Sequence, residues 1–152
     1  MLRTFLLALS LLTTGPALAL SQPGADPAAV ASIRAGHHDC PRCRLSGADL
    51  TSQCVKHGNL EGANFERSKL VLMCMSYADF RGASFRSADL SGANLAHAVL
   101  DGADFTNAVL SITSIKGTDL TRTRGLSQSQ LDQACGDVAT KVAATMKVHY
   151  CR

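Results

Sequence analysis

Between residues 45 and 120 every fifth residue is apolar. The series runs Leu45, Leu50, Val55, Leu60, Phe65, Leu70, Met75, Phe80, Phe85, Leu90, Leu95, Leu100, Phe105, Leu110, Ile115 and Leu120, and 13 of its 16 members are Leu or Phe. The residue two places earlier is small in almost every unit. It is Ala at 48, 63, 78, 83, 88, 93, 98, 103 and 108, and Cys43, Gly58, Ser68, Thr113 or Thr118 elsewhere. Only Gln53 and Met73 break that rule. The other three positions of each unit are mostly polar or Gly. A period of five fits neither the 3.6-residue helix nor the two-residue alternation of a strand. A large inward residue, a small inward residue before it and a corner between units suit a coiled solenoid. Such a stack buries one continuous core between repeats that are unstable alone.

The stretches Ala48-Asp49-Leu50, Ala63-Asn64-Phe65, Ala78-Asp79-Phe80, Ala88-Asp89-Leu90, Ala93-Asn94-Leu95 and Ala103-Asp104-Phe105 carry the pattern A-(D/N)-(L/F)-x-x. In this the chain resembles the pentapeptide-repeat family over residues 43–124, in unbroken register. The resemblance implies an all-β solenoid: a right-handed quadrilateral parallel β-helix, four units to a square coil. About four coils are expected, roughly 20 Å tall at ~4.8 Å per strand spacing. Residues 20 apart then stack. Leu45, Phe65, Phe85 and Phe105 make one ladder. Leu50, Leu70, Leu90 and Leu110 make a second, Val55, Met75, Leu95 and Ile115 a third, and Leu60, Phe80, Leu100 and Leu120 a fourth. Gln53 and Met73 are themselves 20 apart, which predicts one local distortion on the third face. The aromatic content is only 5%, with no Trp, because each unit of a narrow core takes a single large side chain.

The ends follow other rules. Arg3, the apolar run from Phe5 to Leu12 and the small-x-small triplet Ala17-Leu18-Ala19 read as a secretory signal peptide over residues 1–19. The apolar run is too short for a bilayer span, which needs ~20 residues, and Gly15-Pro16 interrupts it. No membrane insertion is expected after cleavage. Residues 20–42 are expected to hold a capping helix, with Asp26 as N-cap, Pro27 at the first position, Gly36 after the end, and Val30 and Ile33 facing the first coil. Residues 125–152 should form the other cap. Ser127-Gln128-Ser129-Gln130 is a capping-box pattern flanked by Leu126 and Leu131, and that helix is expected to end near Gly136. The segment beyond Asp137 is ambiguous, with Lys147 to Tyr150 able to extend.

The six cysteines acquire partners once the coil is assumed. Cys54 and Cys74 occupy the same outward position in adjacent coils, close enough for a disulfide. Cys135 and Cys151 are the only cysteines after the repeats. Cys40 and Cys43 remain. An exported chain meets an oxidising compartment, which favours the pairs 40–43, 54–74 and 135–151. Cys40-Pro41-Arg42-Cys43 has two further readings. A redox pair would need a thiolate at a helix N-terminus, but the motif follows the helix. A metal site could recruit His37, His38, Asp39, Cys40 and Cys43. His57, His97 and His149 look scattered and solvated.

No phosphate loop, nucleophile elbow or zinc-protease motif appears, so no catalytic residue and no cofactor is assigned. Gly47, Gly62, Gly82, Gly92, Gly102 and Gly117 share the corner position, and Asp49, Asp79, Asp89, Asp104 and Asp119 suit turn hydrogen bonding. A charge of +3 without long basic runs argues against a dedicated nucleic-acid binder, and the slight basicity argues against an acidic nucleic-acid mimic. The outward apolar residues Val71, Leu72, Tyr77, Val109 and Ile112, with Val99, are candidates for a partner surface. The expected protein is a periplasmic or secreted, non-enzymatic scaffold or binding module for an unidentified protein, or for itself. The bacterial setting comes from the family resemblance alone. One alternative is an envelope redox or metal-binding role at Cys40 and Cys43. The other, disfavoured, is the topoisomerase-protecting mimicry found in some members of the family.

Overall fold

The computed structural model describes residues 24–151; the expected signal peptide lies outside them. The molecule is a stack of square coils closed by a short helix at each end, α1 over Pro27–Arg34 and α2 over Gln128–Leu131. Parallel bridges join residues 20 apart, from Arg44 with Asn64, through Asp49 with Lys69, Cys54 with Cys74 and Asn59 with Asp79, up to Asp104 with Arg124. Most inward Leu and Phe residues donate their N–H to the coil above, as Leu45 does to Asn64 (2.8 Å), while Asn64 donates back to Cys43 (2.8 Å). The backbone polar groups of the walls are therefore paired between coils.

The corners explain the period. Ala48 donates to the Leu45 carbonyl at 3.0 Å, closing a β-turn, and the same bond recurs down the chain. The third residue of each turn has positive φ, as in type II turns. Glycine occupies six of these corners. Ten are filled by side-chain-bearing residues, from Arg42 (φ 58°) to Ile112 (φ 50°). Where the residue before the inward position is Asp or Asn, it caps the next turn: Asp49 accepts from the Thr51 N–H at 3.1 Å and the Thr51 hydroxyl at 2.7 Å.

Inside, the five-residue register becomes four columns. All 16 large positions are buried, Phe65 and Leu70 completely. Phe65, Phe85 and Phe105 stack with centroids 5.2 and 5.1 Å apart, and Phe80 meets Phe65 and Phe85 edge-on. Where the small position is polar, its hydroxyl turns back on a carbonyl: Ser68 to Phe65 (2.6 Å), Thr118 to Ile115 (2.6 Å) and Thr113 to Leu90 (2.7 Å). The predicted distortion at Gln53 and Met73 does not reach the backbone. Cys74 still donates to Gln53 (2.9 Å) and Val55 to Cys74 (2.9 Å). Met73 is fully buried in the core, while Gln53 stays partly exposed. The column absorbs the extra volume by placing the two side chains differently.

At the lower end, Asp26 accepts from the Ala28 N–H at 2.9 Å and Ile33 is buried. The Asp26 N–H donates to the Arg44 carbonyl (2.7 Å) and the Arg34 guanidinium to the Asp49 carbonyl (2.8 Å), fixing α1 to the first coil. The chain then passes so close to Gly58 that a Cβ there would collide with the His38 carbonyl. At the upper end the expected helix is cut short. It stops at Leu131, five residues before Gly136. Cys135 donates to Thr113 (2.8 Å) and accepts from Ile115 (2.9 Å), and continued helix would forfeit both bonds. The segment is an irregular partial coil, with Cys135 over Ser114 and Lys141 over Asp119. Gln130 completes the capping box with Ser127, and its amide donates to the carbonyls of Phe105 and Ala108, both at 2.8 Å. That side chain both caps α2 and satisfies the open top of the last coil. Tyr150 bridges to Gly136, so the tail is partly extended.

Candidate binding wall

The third wall comprises residues 51–57, 71–77, 91–97 and 111–117, corner to corner. Its outward centre is the column Cys54, Cys74, Asn94 and Ser114. Cys54 and Cys74 form a disulfide with Cα atoms 4.6 Å apart. One corner carries Leu72 and Ile112, 61% and 69% exposed. They close over Gly92 between them: a Cβ on Gly92 would lie 2.7 Å from Leu72 Cδ2 and 4.0 Å from Ile112 Cδ1. The other corner carries three rings. Tyr77 lies between His57, at 5.1 Å and 19°, and His97, at 4.9 Å and 18°. His97 packs against Gly117 in the coil above, where a fourth side chain would otherwise stand. The Lys56 ammonium is 5.9 Å from the Tyr77 ring centroid, within cation–π range.

The structure brings together only part of the apolar set expected from the sequence. Leu72, Tyr77 and Ile112 border this wall. Val71 is half-buried in the corner beside Leu72. Val109 and Val99, both exposed, stand on the two neighbouring walls. His57 and His97 were expected to be scattered and solvated, but they are two members of one ladder. The signal was present in the sequence, since 57, 77 and 97 are 20 apart, and a search confined to inward columns misses it.

The wall is also distinctive in charge. Its four coil rungs hold none of the chain's 12 Asp and Glu residues, and the rung that the cap stacks above them, with Cys135 over Ser114, carries Asp132 and Asp137, the latter accepting from the Gly117 N–H at 2.9 Å. The neighbouring carboxylates are engaged elsewhere. Asp49 and Asp89 accept from the corner hydroxyls of Thr51 and Ser91. Asp79 pairs with Arg81, and Asp119 with Lys141 and Thr121. These hydrogen bonds hold the Asp49, Asp79, Asp104 and Asp119 carboxyls below their ordinary range; the main donors are Thr51, Arg81, Thr106 and Thr121 respectively. Lys56 and Lys116 are in none of the molecule's ion pairs among the described residues.

Cys40 and Cys43 are disulfide-bonded, Cα atoms 5.5 Å apart, as are Cys135 and Cys151 at 5.1 Å. Cys40 is buried, while His37 and His38 are exposed. Asp39 accepts from the Asn59 N–H at 2.7 Å. The sulfurs are thus bonded to each other, and the carboxylate anchors the chain to the coil above. Among the described residues no cluster of three His, Cys, Asp or Glu side chains is placed to hold a metal. None of the described helices is long and apolar enough to cross a membrane.

Square coils stacked by parallel bridges, with four inward columns, define a quadrilateral parallel β-helix. Pentapeptide repeats match the sequence in eight copies over 43–86, 59–95 and 88–124. Together these cover residues 43–124, more than half of the chain, which belongs to the pentapeptide repeat family. A crystal structure of a pentapeptide repeat protein from the cyanobacterium Cyanothece is 29% identical, covering 64% of this chain and 63% of that one, with a TM-score of 0.52. One from Nostoc is 24% identical, over 80% of this chain and 98% of that one, at a TM-score of 0.42. One from the thylakoid lumen of Arabidopsis thaliana is 29% identical, over 62% and 55%, at 0.30. This chain thus spans less than two thirds of the Cyanothece protein. No curated protein matches the sequence.

Proposed function

We propose that the protein is an exported, non-enzymatic binding module that presents the third wall to a protein partner. The observation that carries this reading is the convergence on one wall of Leu72, Ile112 and the His57–Tyr77–His97 ladder, all outside the core. Three disulfides support a periplasmic or secreted setting, because such bonds persist in oxidising compartments. The paired coil backbone supports a preformed surface, which binds with little loss of conformational freedom. The carboxylates beside the wall are occupied by turn donors or cations, which favours a structural role for them over acid–base chemistry.

The test is affinity capture by the mature, oxidised chain from its own envelope fraction, alongside Tyr77→Gly and Leu72→Gly. A partner retained by the parent and lost by both variants is the expected result. Capture unaffected by either variant would place the binding surface elsewhere. Thiol titration of the native chain tests the redox and metal alternatives: two free thiols at Cys40 and Cys43 would favour them. The topoisomerase-mimic reading gains no support from a wall whose four coil rungs lack carboxylates.

A further inference from the structure

We infer that the third wall pairs with the third wall of a second copy, about a two-fold axis along its middle rung, with the two stacks antiparallel. This inference rests on the binding-module reading and names the partner of that wall. Counting the cap, the wall has five rungs. Cys135 stands over Ser114, and the Asp137 carboxylate takes the Gly117 N–H at 2.9 Å. The top rung thus carries Asp137 above Lys116, followed by Val138, which is 90% exposed. A two-fold axis along rung three, which holds Gly92, Asn94 and His97, sets rung one of either copy against rung five of the other and rung two against rung four. Each corner then faces its own counterpart.

The two halves of the wall complement each other in that arrangement. Leu72 and Ile112 meet over Gly92 as one apolar ridge centred on the axis, so Leu72 of each copy lies on Ile112 of the other. The opposite corner is filled unevenly. His57, Tyr77 and His97 occupy rungs one to three, while rung four has only Gly117 and rung five Val138. The second copy brings its own His57 and Tyr77 to those upper rungs, and each ladder fills the half that the other leaves low. Charge follows the same relation. Lys56, on rung one, is in no ion pair among the described residues and faces Asp137 on rung five of the second copy. The turn bonds of Asp137 all use Oδ1, which leaves Oδ2 for the ammonium. Each contact occurs twice by symmetry, whereas an unrelated partner requires no correspondence between the halves. A two-fold axis along the stack would instead set every rung against its own equivalent and leave Asp137 four rungs, about 19 Å, from Lys56. Five rungs of that spacing and five residues of width give a footprint of roughly 300 Å². That is well below the ~800 Å² per partner of a standard interface, so the pairing is weak and reversible.

The experiment is sedimentation of the mature oxidised chain over a range of concentrations, with zero-length carbodiimide coupling of lysines to carboxylates mapped by mass spectrometry. A monomer–dimer equilibrium and a Lys56–Asp137 cross-link are expected. Within one chain those two groups are about 19 Å apart, out of reach of a zero-length link, so the link reports antiparallel pairing of two copies. Leu72→Gly, Ile112→Gly and Lys56→Glu should each raise the dimer dissociation constant about tenfold or more. Leu72 and Ile112 sit on corners of positive φ, at 57° and 50°, so glycine removes the side chain without straining the coil. Val99→Ser and Val109→Ser, on the neighbouring walls, should leave the equilibrium unchanged. A chain that stays monomeric at every concentration would overturn the pairing. So would a dimer insensitive to the three wall variants, one weakened equally by the two valine variants, or one without the Lys56–Asp137 link. Those outcomes leave the binding-module reading to the envelope capture, where a different protein held through Leu72 and Tyr77 would support that reading and overturn this one.

Discussion

Ile112 has φ of 50°, in a region where a β-branched residue is an outlier and glycine is at ease. The side chain gains little in return from the fold, since it is 69% exposed. We expect Ile112→Gly to leave the coil intact and to change stability by no more than about 1 kcal/mol, because relief of left-handed strain offsets the greater freedom of glycine in the unfolded chain. A chemical denaturation midpoint far below that of the parent would contradict this. The reverse holds at Gly58, where a Cβ collides with the backbone of His38. The carboxylates set the acid limit. Because Asp49, Asp79, Asp104, Asp119 and Asp137 are held below their ordinary range in the folded state, their contribution is complete above the unfolded value of ~3.9. It is lost as pH falls through the depressed folded values. The thermal midpoint should therefore be flat between neutrality and about pH 5, then fall below about pH 4. A midpoint unchanged down to strongly acidic pH would refute the turn role of these groups.

Among the elements, the Phe column is the most exposed to perturbation. Phe85 is stacked between Phe65 and Phe105 and meets Phe80 edge-on. Phe85→Ala should cost about 3–5 kcal/mol, measured by equilibrium denaturation, since the coil backbone is bonded on both sides and cannot close over the void. The column was legible in the sequence because inward positions repeat at a fixed spacing. Helix α1 was legible too, from Asp26 and Pro27, because its capping bonds are local. The end of α2 was not. Nothing between Asp132 and Gly136 marks a stop, and the helix ends at Leu131 because Cys135 finds better partners in Thr113 and Ile115. The His57–Tyr77–His97 ladder lies between these cases. Its spacing is written in the sequence, but an outward ladder has no hydrophobic pattern to announce it.

At the scale of the whole molecule, stability is approximately a sum over coils and their interfaces, so the ends fray first. Beyond Lys141 the tail is held by the Cys135–Cys151 disulfide and by few bonds, chiefly Gly136 to His149 (2.8 Å) and the Gln128–Lys147 pair. Replacing both cysteines with Ser should cost about 3 kcal/mol by the chain-entropy argument for a loop of this length. The loss should be local. Hydrogen exchange is expected to accelerate over residues 142–151 and to leave amides such as Phe85 protected, whereas uniform loss would show that the cap and the coils unfold together.

The sequence by itself determined the inward register, since a five-residue repeat of large and small apolar positions suits a stacked solenoid. The four units to a coil, and with them the register of cysteines 54 and 74, followed from the family resemblance. What only the tertiary structure decided is where those repeats leave their outward side chains in relation to one another. Leu72 and Ile112 become neighbours across Gly92, three rings become a ladder, and the cap stacks Asp137 against the Gly117 corner of the same wall. These are properties of positions one or two coils apart. Local periodicity carries no energy term that links them, and they acquire a common surface only when the coils stack.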